Sequence, residues 1–199
     1  MRRFIRLGKR IKNRIGMYTN LIRLQMYGIV HGKHCVIHGK LYIHLYPTAK
    51  VKIGDNFYCS SGNCVNALSA NRRGCIYATK DANITIGDHV GMSSTVLWAI
   101  NSITIGNYVK IGADCLLLDT DSHSLDYLMR RGQYTDWVIA KPIVIGDDVL
   151  IGARCIILKG CTIGARSIIA AGSVVTKSFP SDCLIGGNPA RLIKKFETV

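Results

Sequence analysis

His123 lies among carboxylate and hydroxyl side chains, in the run Asp119-Thr120-Asp121-Ser122-His123-Ser124. An imidazole is the side chain best suited to take a proton near neutral pH. A neighbouring carboxylate can fix its tautomer and raise its basicity, and the spacing leaves open which carboxylate, if any, does so. The run therefore indicates a general base, although a surface histidine beside an aspartate is also common where no such chemistry occurs.

This histidine belongs to a polar insertion, residues 119–141, that interrupts a repeat on both sides. A polar loop of this length thrown out of a regular structure is costly unless it is used, so the insertion is a candidate for function. The elements that must position it are the repeats themselves.

The repeat has a period of six, and it is clearest from Pro142 to Thr176. One register holds an aliphatic residue in every hexad, in the order Ile145, Ile151, Ile157, Ile163, Ile169 and Val175. Four residues after each of the first five come Val149, Cys155, Cys161, Ser167 and Ser173. A period of six fits neither a helix nor simple strand alternation and is typical of a solenoid. The aliphatic residue is predicted to point inward and the later small residue to fill the remaining interior space.

The pattern predicts an all-β solenoid in which three hexads make one coil. We expect a basic helical segment over residues 1–28, the coils over 29–179 and a C-terminal tail over 180–199. Residues 58–80 break the repeat and are interpreted as irregular, with turns near Gly62 and Gly74.

Charge is concentrated at the N-terminus. Residues 1–54 contain 12 Lys and Arg and no acidic residue, whereas residues 55–199 contain 14 Lys and Arg against 12 Asp and Glu. Apolar residues recur at helical spacing in the first segment, at Phe4, Leu7, Ile11, Ile15, Tyr18 and Ile22. Such a basic amphipathic helix could pack on the solenoid end or a partner subunit, or dock on an anionic membrane. Nucleic acid is not expected as a partner, because no motif of that class accompanies the charge.

Apolar runs and cysteines indicate the compartment. No stretch is long and apolar enough to span a bilayer, and the N-terminus lacks the apolar region of a signal peptide. Cys35, Cys115, Cys155 and Cys161 fall in the small interior position of their hexads, where a thiol acts as a small buried hydrophobe. We expect a cytoplasmic protein with unpaired thiols and no metal. The sequence leaves open whether this protein also contacts the inner face of the membrane.

Three blocks of sequence resemble the hexapeptide-repeat acyltransferases, a family of left-handed parallel β-helices. They are residues 119–123 (DTDSH), residues 141–153 (KPIVIGDDVLIGA), and the C-terminal run from 171–177 (AGSVVTK) through 187–191 (GNPAR). The nearest branch holds the maltose, galactoside and capsular-polysaccharide O-acetyltransferases. The resemblance covers roughly residues 85–195 and leaves the N-terminal segment and residues 58–80 uncovered.

The resemblance implies a homotrimer that binds acetyl-CoA in a groove between subunits and acetylates a saccharide hydroxyl by direct transfer, with a role in surface polysaccharide biosynthesis. His123 would be the general base, and Ser94 and Asp121 would contact the acceptor. The residues expected along the coenzyme are Ala153, Ala171, Thr176, Lys177 and Arg191. A backbone N–H in the Gly152–Ala153 turn is expected to hold the oxyanion.

Three alternatives remain open. An amino-sugar N-acetyltransferase would use the same residues, since the sequence does not separate hydroxyl from amine acceptors. A zinc lyase resembling the γ-carbonic anhydrases would need several histidines around one metal, and no credible set surrounds the insertion. A non-catalytic scaffold would not need the C-terminal block.

Overall fold

Short strands follow one another around the three sides of a stacked coil. The computed structural model describes residues 16–62, 66–69, 72–132 and 138–197. Each strand pairs in parallel with the equivalent strands of the coils before and after it, which produces three sheets. Because no strand exceeds six residues, the stability of the coil comes from stacking between neighbours.

The three sheets are named A, B and C in the order in which the chain visits them. Sheet A contains β1 (Val30–His31), β4 (Lys50–Ile53), β7 (Asn83–Ile86), β10 (Ser102–Ile105), β13 (Ile143–Ile145) and β16 (Thr162–Ile163). Sheet B contains β2 (Val36–Gly39), β5 (Tyr58–Ser61), β8 (Gly91–Ser93), β11 (Lys110–Ile111), β14 (Leu150–Ile151), β17 (Ile168–Ile169), β19 (Cys183–Gly187) and β20 (Ala190–Lys195). Sheet C contains β3 (Tyr42–Leu45), β6 (Cys75–Ala78), β9 (Val96–Ala99), β12 (Leu116–Leu118), β15 (Ile156–Leu158) and β18 (Val174–Val175).

The predicted hexad register is confirmed. Ile145 pairs with Ile163, which lies 18 residues, or three hexads, further along the chain. The six aliphatic residues of this register are at most 1% exposed. The small residues four positions later are buried as well, including Cys155, Cys161, Ser167 and Ser173. In each hexad, therefore, one aliphatic residue points inward from a side of the coil, and the small residue four positions later fills the interior space at a corner.

Glycines permit the close stacking of corners. A Cβ added at Gly112 would lie 2.5 Å from the nitrogen of Ala153 and 2.8 Å from its Cα. One added at Gly146 would lie 2.7 Å from the nitrogen of Ala165 in the next coil. Real Cβ atoms do not approach backbone this closely, so these positions require glycine.

A helix closes the N-terminal end of the coil. Helix α1 covers residues 16–26, while the first 15 residues of the expected basic segment lie outside the described part of the chain. Leu24 is fully buried, and the side-chain amide of Asn20 donates to the carbonyls of Ile37 and Gly39 at 3.0 and 2.7 Å. The inner face of α1 thus packs on the solenoid, which is one of the two expected roles of the segment.

The interpretation of residues 58–80 as irregular is wrong for Tyr58–Ser61 and Cys75–Ala78, which form strands, whereas the predicted turns near Gly62 and Gly74 do lie outside strands. Strands β5 and β6 occupy both ends of this segment and pair in register with the neighbouring coils. Ser61 is buried here because its hydroxyl donates to the carbonyl of Lys40 at 2.6 Å and accepts from the N–H of Gly74 at 2.9 Å. A strand that buries serines shows no aliphatic pattern, so the hexads were not visible.

The C-terminal tail extends sheet B. Strands β19 and β20 form an antiparallel hairpin, in which Gly187 pairs with Ala190, and β19 pairs with β17. Thiols line the core as expected: burial raises the pKa of Cys59 to about 12 and that of Cys35 to about 11, so both remain protonated.

Candidate functional site

Two corners of the coil carry the predicted site residues. The BC corner, which joins sheet B to sheet C, contains Ser94, Asp114 and Arg154 in successive coils. The CA corner, which joins sheet C to the next strand of sheet A, contains the insertion after Leu118 and, one coil later, Lys159. All site chemistry in one protomer is divided between these two corners.

The insertion is tied to the CA corner at both ends. Thr120 bridges Ala140 in an antiparallel pair, and the N–H of Lys141 donates to the carbonyl of Asp119 at 2.8 Å. Between these ends, α2 (Tyr127–Arg131) begins at Asp126, whose carboxylate accepts from the first turn of the helix. The ends are therefore held like a hairpin, and the loop that carries His123 projects from them.

Asp119 anchors the beginning of the insertion. Its carboxylate is fully buried and accepts from the backbone N–H groups of Ile100 and Asn101 at 2.8 and 2.7 Å. Burial raises the pKa of Asp119, and the backbone donors partly offset this rise. Its carboxylate is engaged with the preceding coil, so its role is structural.

Asp121 forms an ion pair that the sequence did not indicate. The ammonium of Lys159 lies 2.6 Å from Oδ1 of Asp121, and the two side chains are 22% and 20% exposed. The other carboxylate oxygen, Oδ2, is buried and has no hydrogen-bond partner among the described residues. The ion pair thus fastens the insertion to the following coil at Asp121, which lies two residues before His123.

His123 itself is exposed, four residues after the anchored Asp119. Ser122, just before it, adopts a left-handed conformation with φ of 61°, and its N–H donates to the hydroxyl of Thr120. Arg130 secures the chain just after it by donating to the carbonyls of Ser124 and Leu125 at 2.8 and 2.9 Å. In the described part of the chain, no hydrogen bond joins the imidazole to a carboxylate. The tight turns on either side present the ring outward, toward solvent or another molecule.

The BC corner gathers Ser94, Ala153 and Ala171. Ser94 is buried, and its hydroxyl accepts from the N–H of Gly62 at 3.4 Å. Ala153 is half-buried and Ala171 is exposed, one coil further on. The N–H of Gly152 donates to the carbonyl of Ile169 within sheet B, at 2.8 Å, so this expected oxyanion donor is already used.

Thr176, Lys177 and Arg191 all lie on the surface at the C-terminal end. Thr176 and Lys177 follow β18 at the CA corner, and the ammonium of Lys177 lies 5.7 Å from the ring centroid of Phe179. Arg191 is on β20, exposed, beside sheet B. A long anionic ligand along this end would meet two cationic groups.

One protomer does not bring these groups together. Ala153 and Lys159 are six residues apart along one extended side, which corresponds to roughly 20 Å. A base must lie within about 3 Å of the proton that it removes, directly or through one water. Groups at the BC corner and groups at the CA corner of one coil are therefore too far apart for direct proton transfer between them.

Sheet C presents an apolar outer face between the two corners. One column begins with stacked rings, with 4.1 Å between the centroids of Tyr77 and Trp98, and continues with Leu118 and Leu158. The parallel column contains Val96, Leu116, Ile156 and Val174, each half-buried. The outer face of sheet A is more polar, with Lys50, Lys52, Asn83, Thr85 and Thr104 beside the exposed Val30 and Val144.

The histidines of the first coils lie on the outer surface. His44 stacks on Tyr77, and His38 packs edge-on against Tyr58. Across residues 16–62, 66–69, 72–132 and 138–197, no three His, Cys, Asp or Glu side chains are grouped so that they could hold a metal ion.

Comparison with known proteins gives consistent matches. The family described as "Bacterial transferase hexapeptide (six repeats)" matches residues 142–177. The structure of a hexapeptide-repeat-containing acetyltransferase from Vibrio cholerae is 33% identical, with a TM-score of 0.54, and covers 83% of this chain and 76% of its own. A second structure of that protein, complexed with acetyl coenzyme A, is 31% identical with a TM-score of 0.51 and covers 90% of this chain and 76% of its own. These likenesses, with the three sheets, confirm the predicted left-handed parallel β-helix.

Two further relatives differ in their acceptors. A maltose O-acetyltransferase from Clostridium difficile 630 is 25% identical with a TM-score of 0.55 and covers 84% of this chain and 69% of its own. A 2,3,4,5-tetrahydropyridine-2,6-dicarboxylate N-acetyltransferase from Staphylococcus aureus is 45% identical over 60 residues, which are 30% of this chain and 25% of that protein. The chain spans less than half the length of the first curated relatives that it matches.

Proposed function

The chain belongs to the hexapeptide-repeat transferases, and from this premise we propose that it moves an acetyl group from acetyl-CoA to a saccharide. The observation that carries the proposal is His123, exposed near the start of an insertion whose two ends and whose Asp121 are fastened to the coil. A base held on a rigid support meets the positional demand of acyl transfer.

The reaction would proceed by direct transfer. His123 takes the proton of the acceptor hydroxyl as its oxygen attacks the thioester carbonyl. The tetrahedral intermediate then collapses, the carbon–sulfur bond breaks, and the proton returns from His123 to the departing thiolate. No serine or cysteine of an obvious nucleophile motif is available for an acyl-enzyme, and burial raises the pKa of Cys59 and Cys35, which keeps these two thiols protonated.

We propose that the enzyme is a homotrimer with each site formed between two protomers. Two features support this assembly: the division of the site residues between the BC and CA corners, and the apolar face of sheet C that separates them. Coenzyme A would then run past Ala153 and Ala171 of one protomer toward His123 of the next. Thr176, Lys177 and Arg191 are proposed to bind its distal, anionic part.

Substitution of the base tests the activity. We expect His123→Ala to lower kcat by about 10²–10⁴-fold while coenzyme A binding, measured by calorimetry, stays within a factor of about two. His34→Ala is the matched control, because His34 is equally exposed but lies on the first coil. Full turnover by His123→Ala with acetyl-CoA and its acceptor would remove the proposal.

The acceptor atom is proposed to be a hydroxyl, as in surface polysaccharide biosynthesis. The maltose O-acetyltransferase supports this choice, whereas the N-acetyltransferase relative supports an amine. A screen of sugars and amino sugars with acetyl-CoA, in which thiol release is followed and the product is treated with mild base, separates an ester from an amide. Products that all resist base would establish the amine alternative.

We further propose that the enzyme meets its acceptor at an anionic membrane surface. Helix α1 exposes Tyr18, Ile22 and Met26 at 68%, 55% and 80%, on the face opposite its buried Leu24. This stripe adjoins a segment of strongly positive charge. Exposed apolar side chains beside cationic ones are typical of interfacial helices. Among the described residues, no helix has the length and apolarity to cross a bilayer.

Vesicle co-sedimentation tests this location. The double variant Ile22→Asp, Met26→Asp should bind vesicles containing phosphatidylserine at least tenfold more weakly than the unaltered chain, because it places two carboxylates in the stripe. Leu128→Asp, at a similarly exposed position on α2, is the control. Equal sedimentation of all three proteins would refute membrane docking and leave the catalytic proposal untouched.

A further inference from the structure

A cavity of about 360 Å³ opens beside the BC corner. It is lined by Arg72, Asp114, Leu116, Arg154 and Ile156. Its volume falls within the range of small-molecule sites, roughly 300–1,000 Å³. No motif singles out these residues, and the proposed coenzyme path does not use them.

Asp114 brings an unsatisfied carboxylate to this cavity. The residue is 8% exposed, and its Oδ1 is inaccessible to solvent and has no hydrogen-bond partner among the described residues. Its backbone is fixed by the stacking of coils, since its N–H donates to the carbonyl of Ser93 at 3.2 Å. Asp114 is one of the lining residues, and a carboxylate in a cavity wall suits a ligand that supplies a hydroxyl or amino hydrogen.

Arg72 and Arg154 bring two guanidinium groups to the same cavity. Arg72 lies at the end of the excursion between β5 and β6, and Arg154 lies at the turn of a later coil. The ion pairs found in the described residues join Lys159 to Asp121 and Arg166 to Asp182, so neither guanidinium is neutralised by them. Two guanidinium groups and one carboxylate in the lining leave an excess of positive charge. A guanidinium binds carboxylate and phosphate oxygens in a bidentate manner.

Leu116 and Ile156 complete the cavity from the outer face of sheet C. They provide an apolar wall suited to the carbon–hydrogen face of a sugar ring. Arg154 directly follows Ala153, a residue proposed to lie along the coenzyme, and Ser94 lies at the same corner. The cavity therefore adjoins the path on which the thioester would arrive.

We propose that this cavity is the acceptor subsite and that the acceptor is an acidic saccharide carrying a carboxylate or phosphate group. Arg72 and Arg154 bind the anionic group, and Asp114 accepts a hydrogen bond from a hydroxyl or amino group of the same sugar. This proposal rests on the proposed acetyl transfer, and it names the class of acceptor.

Binding without catalysis tests it first. The probes are glucuronate, glucose 1-phosphate and neutral glucose, titrated into the intact protein by calorimetry or ligand-observed NMR. We expect both acidic sugars to bind at least tenfold more tightly than glucose. Arg72→Gln and Arg154→Gln should weaken this binding by about 10- to 100-fold, as expected for the loss of one charge-assisted hydrogen-bonded contact. Preference for one acidic probe over the other identifies the anion.

Arg166→Gln is the matched control. Arg166 occupies the same left-handed turn conformation as Arg154, with φ of 58° against 60°, but at the corner that joins sheet A to sheet B. It should bind the acidic sugars as the unaltered protein does. Equal loss in Arg166→Gln and Arg154→Gln would overturn the proposal, because the effect would then come from net charge alone. Failure of the unaltered protein to prefer acidic sugars would also overturn it.

Kinetics separate this proposal from the proposed function. If the arginines serve the acceptor, Arg154→Gln raises the KM for an acidic acceptor and leaves the KM for acetyl-CoA within about twofold. A loss confined to the KM for acetyl-CoA would assign the pair to the coenzyme and overturn the subsite. Binding of acidic sugars with no thiol release under any condition would refute acetyl transfer while the binding site stood. Efficient transfer to neutral sugars alone would refute the acidic-saccharide subsite while acetyl transfer stood.

Discussion

The ion pair between Lys159 and Asp121 should determine how well the insertion holds His123. Lys159 is at the CA corner of one coil and Asp121 is in the insertion that leaves the previous coil. The substitution Lys159→Met keeps most of the aliphatic stem and removes the charge. It leaves Asp121 with one oxygen that has lost its donor at 2.6 Å and a second that is buried without a partner.

The magnitude follows from the geometry. Two unit charges 2.6 Å apart attract by about 6 kcal/mol at an effective dielectric constant of about 20. Desolvation of both groups offsets most of this energy, and each side chain is still about one-fifth exposed. A charge-assisted hydrogen bond has a net value of about 1.5–3 kcal/mol. We therefore expect Lys159→Met to lower the free energy of unfolding by about 2 kcal/mol.

Denaturant unfolding of Lys159→Met, Asp121→Asn and the double variant measures this pair. The double variant should be less destabilised than the sum of the single ones, with a coupling of about 1–2 kcal/mol, because it leaves no unpaired charge. If a loosened loop misplaces His123, kcat of Lys159→Met should fall about 10- to 100-fold while the KM for acetyl-CoA changes little. Lys110→Met is the control, since the ammonium of Lys110 donates to a backbone carbonyl, that of His89, and forms no ion pair within the described residues. A coupling below about 0.3 kcal/mol with unchanged kcat would refute the reasoning.

Three further predictions concern the coil. Gly112→Ala should lower the free energy of unfolding, measured by urea denaturation, by about 2–4 kcal/mol, because the new Cβ meets the backbone of Ala153. Unchanged stability would show that the corner backbone can move to make room for the methyl group. The raised pKa of Cys59 means that its contribution to stability is complete below pH 9 and is lost as pH rises toward about 12. Between pH 9 and 11, the free energy of unfolding should therefore fall less steeply with pH in Cys59→Ala than in the unaltered protein. The two slopes should differ by about 1.4 kcal/mol per pH unit, and equal slopes would contradict this. Leu117→Ala should lower the free energy of unfolding by about 2–5 kcal/mol, because Leu117 is fully buried. Leu125→Ala should lower it by less than about 0.5 kcal/mol, because Leu125 is 68% exposed. Similar shifts of the melting temperature in the two variants would disprove this assignment of the core.

The core of the coil could be predicted from the sequence because a period of six assigns each inward residue. Ile151 and Ile157 occupy the same position of successive hexads, and both point inward from successive sides of the coil. Their burial can therefore be predicted without knowing which distant residues they contact. Around Ser61 the same inward positions are filled by hydroxyl groups that bond to backbone, so the apolar signal disappears although the strand remains.

The partners of the site residues could not be predicted in this way. Lys159 meets Asp121 across 38 residues because the insertion lengthens one coil and the stacking register then places the two corners together. Likewise, Arg72 and Asp114 line one cavity although no repeat relates their positions in the sequence. The sequence indicates which residue types can do chemistry, and the stacking of coils decides which of them meet.

The most direct test of a site shared between protomers is complementation between two inactive variants. His123→Ala lacks the base beyond the CA corner, and Ala153→Trp obstructs the groove at the BC corner. When the two are mixed by unfolding and refolding, about one site in four should combine an intact base with an intact groove. We predict recovery of about a quarter of the unaltered activity in the mixture and none in either variant alone. No recovery, with mixed oligomers shown by native mass spectrometry, would contradict the shared site.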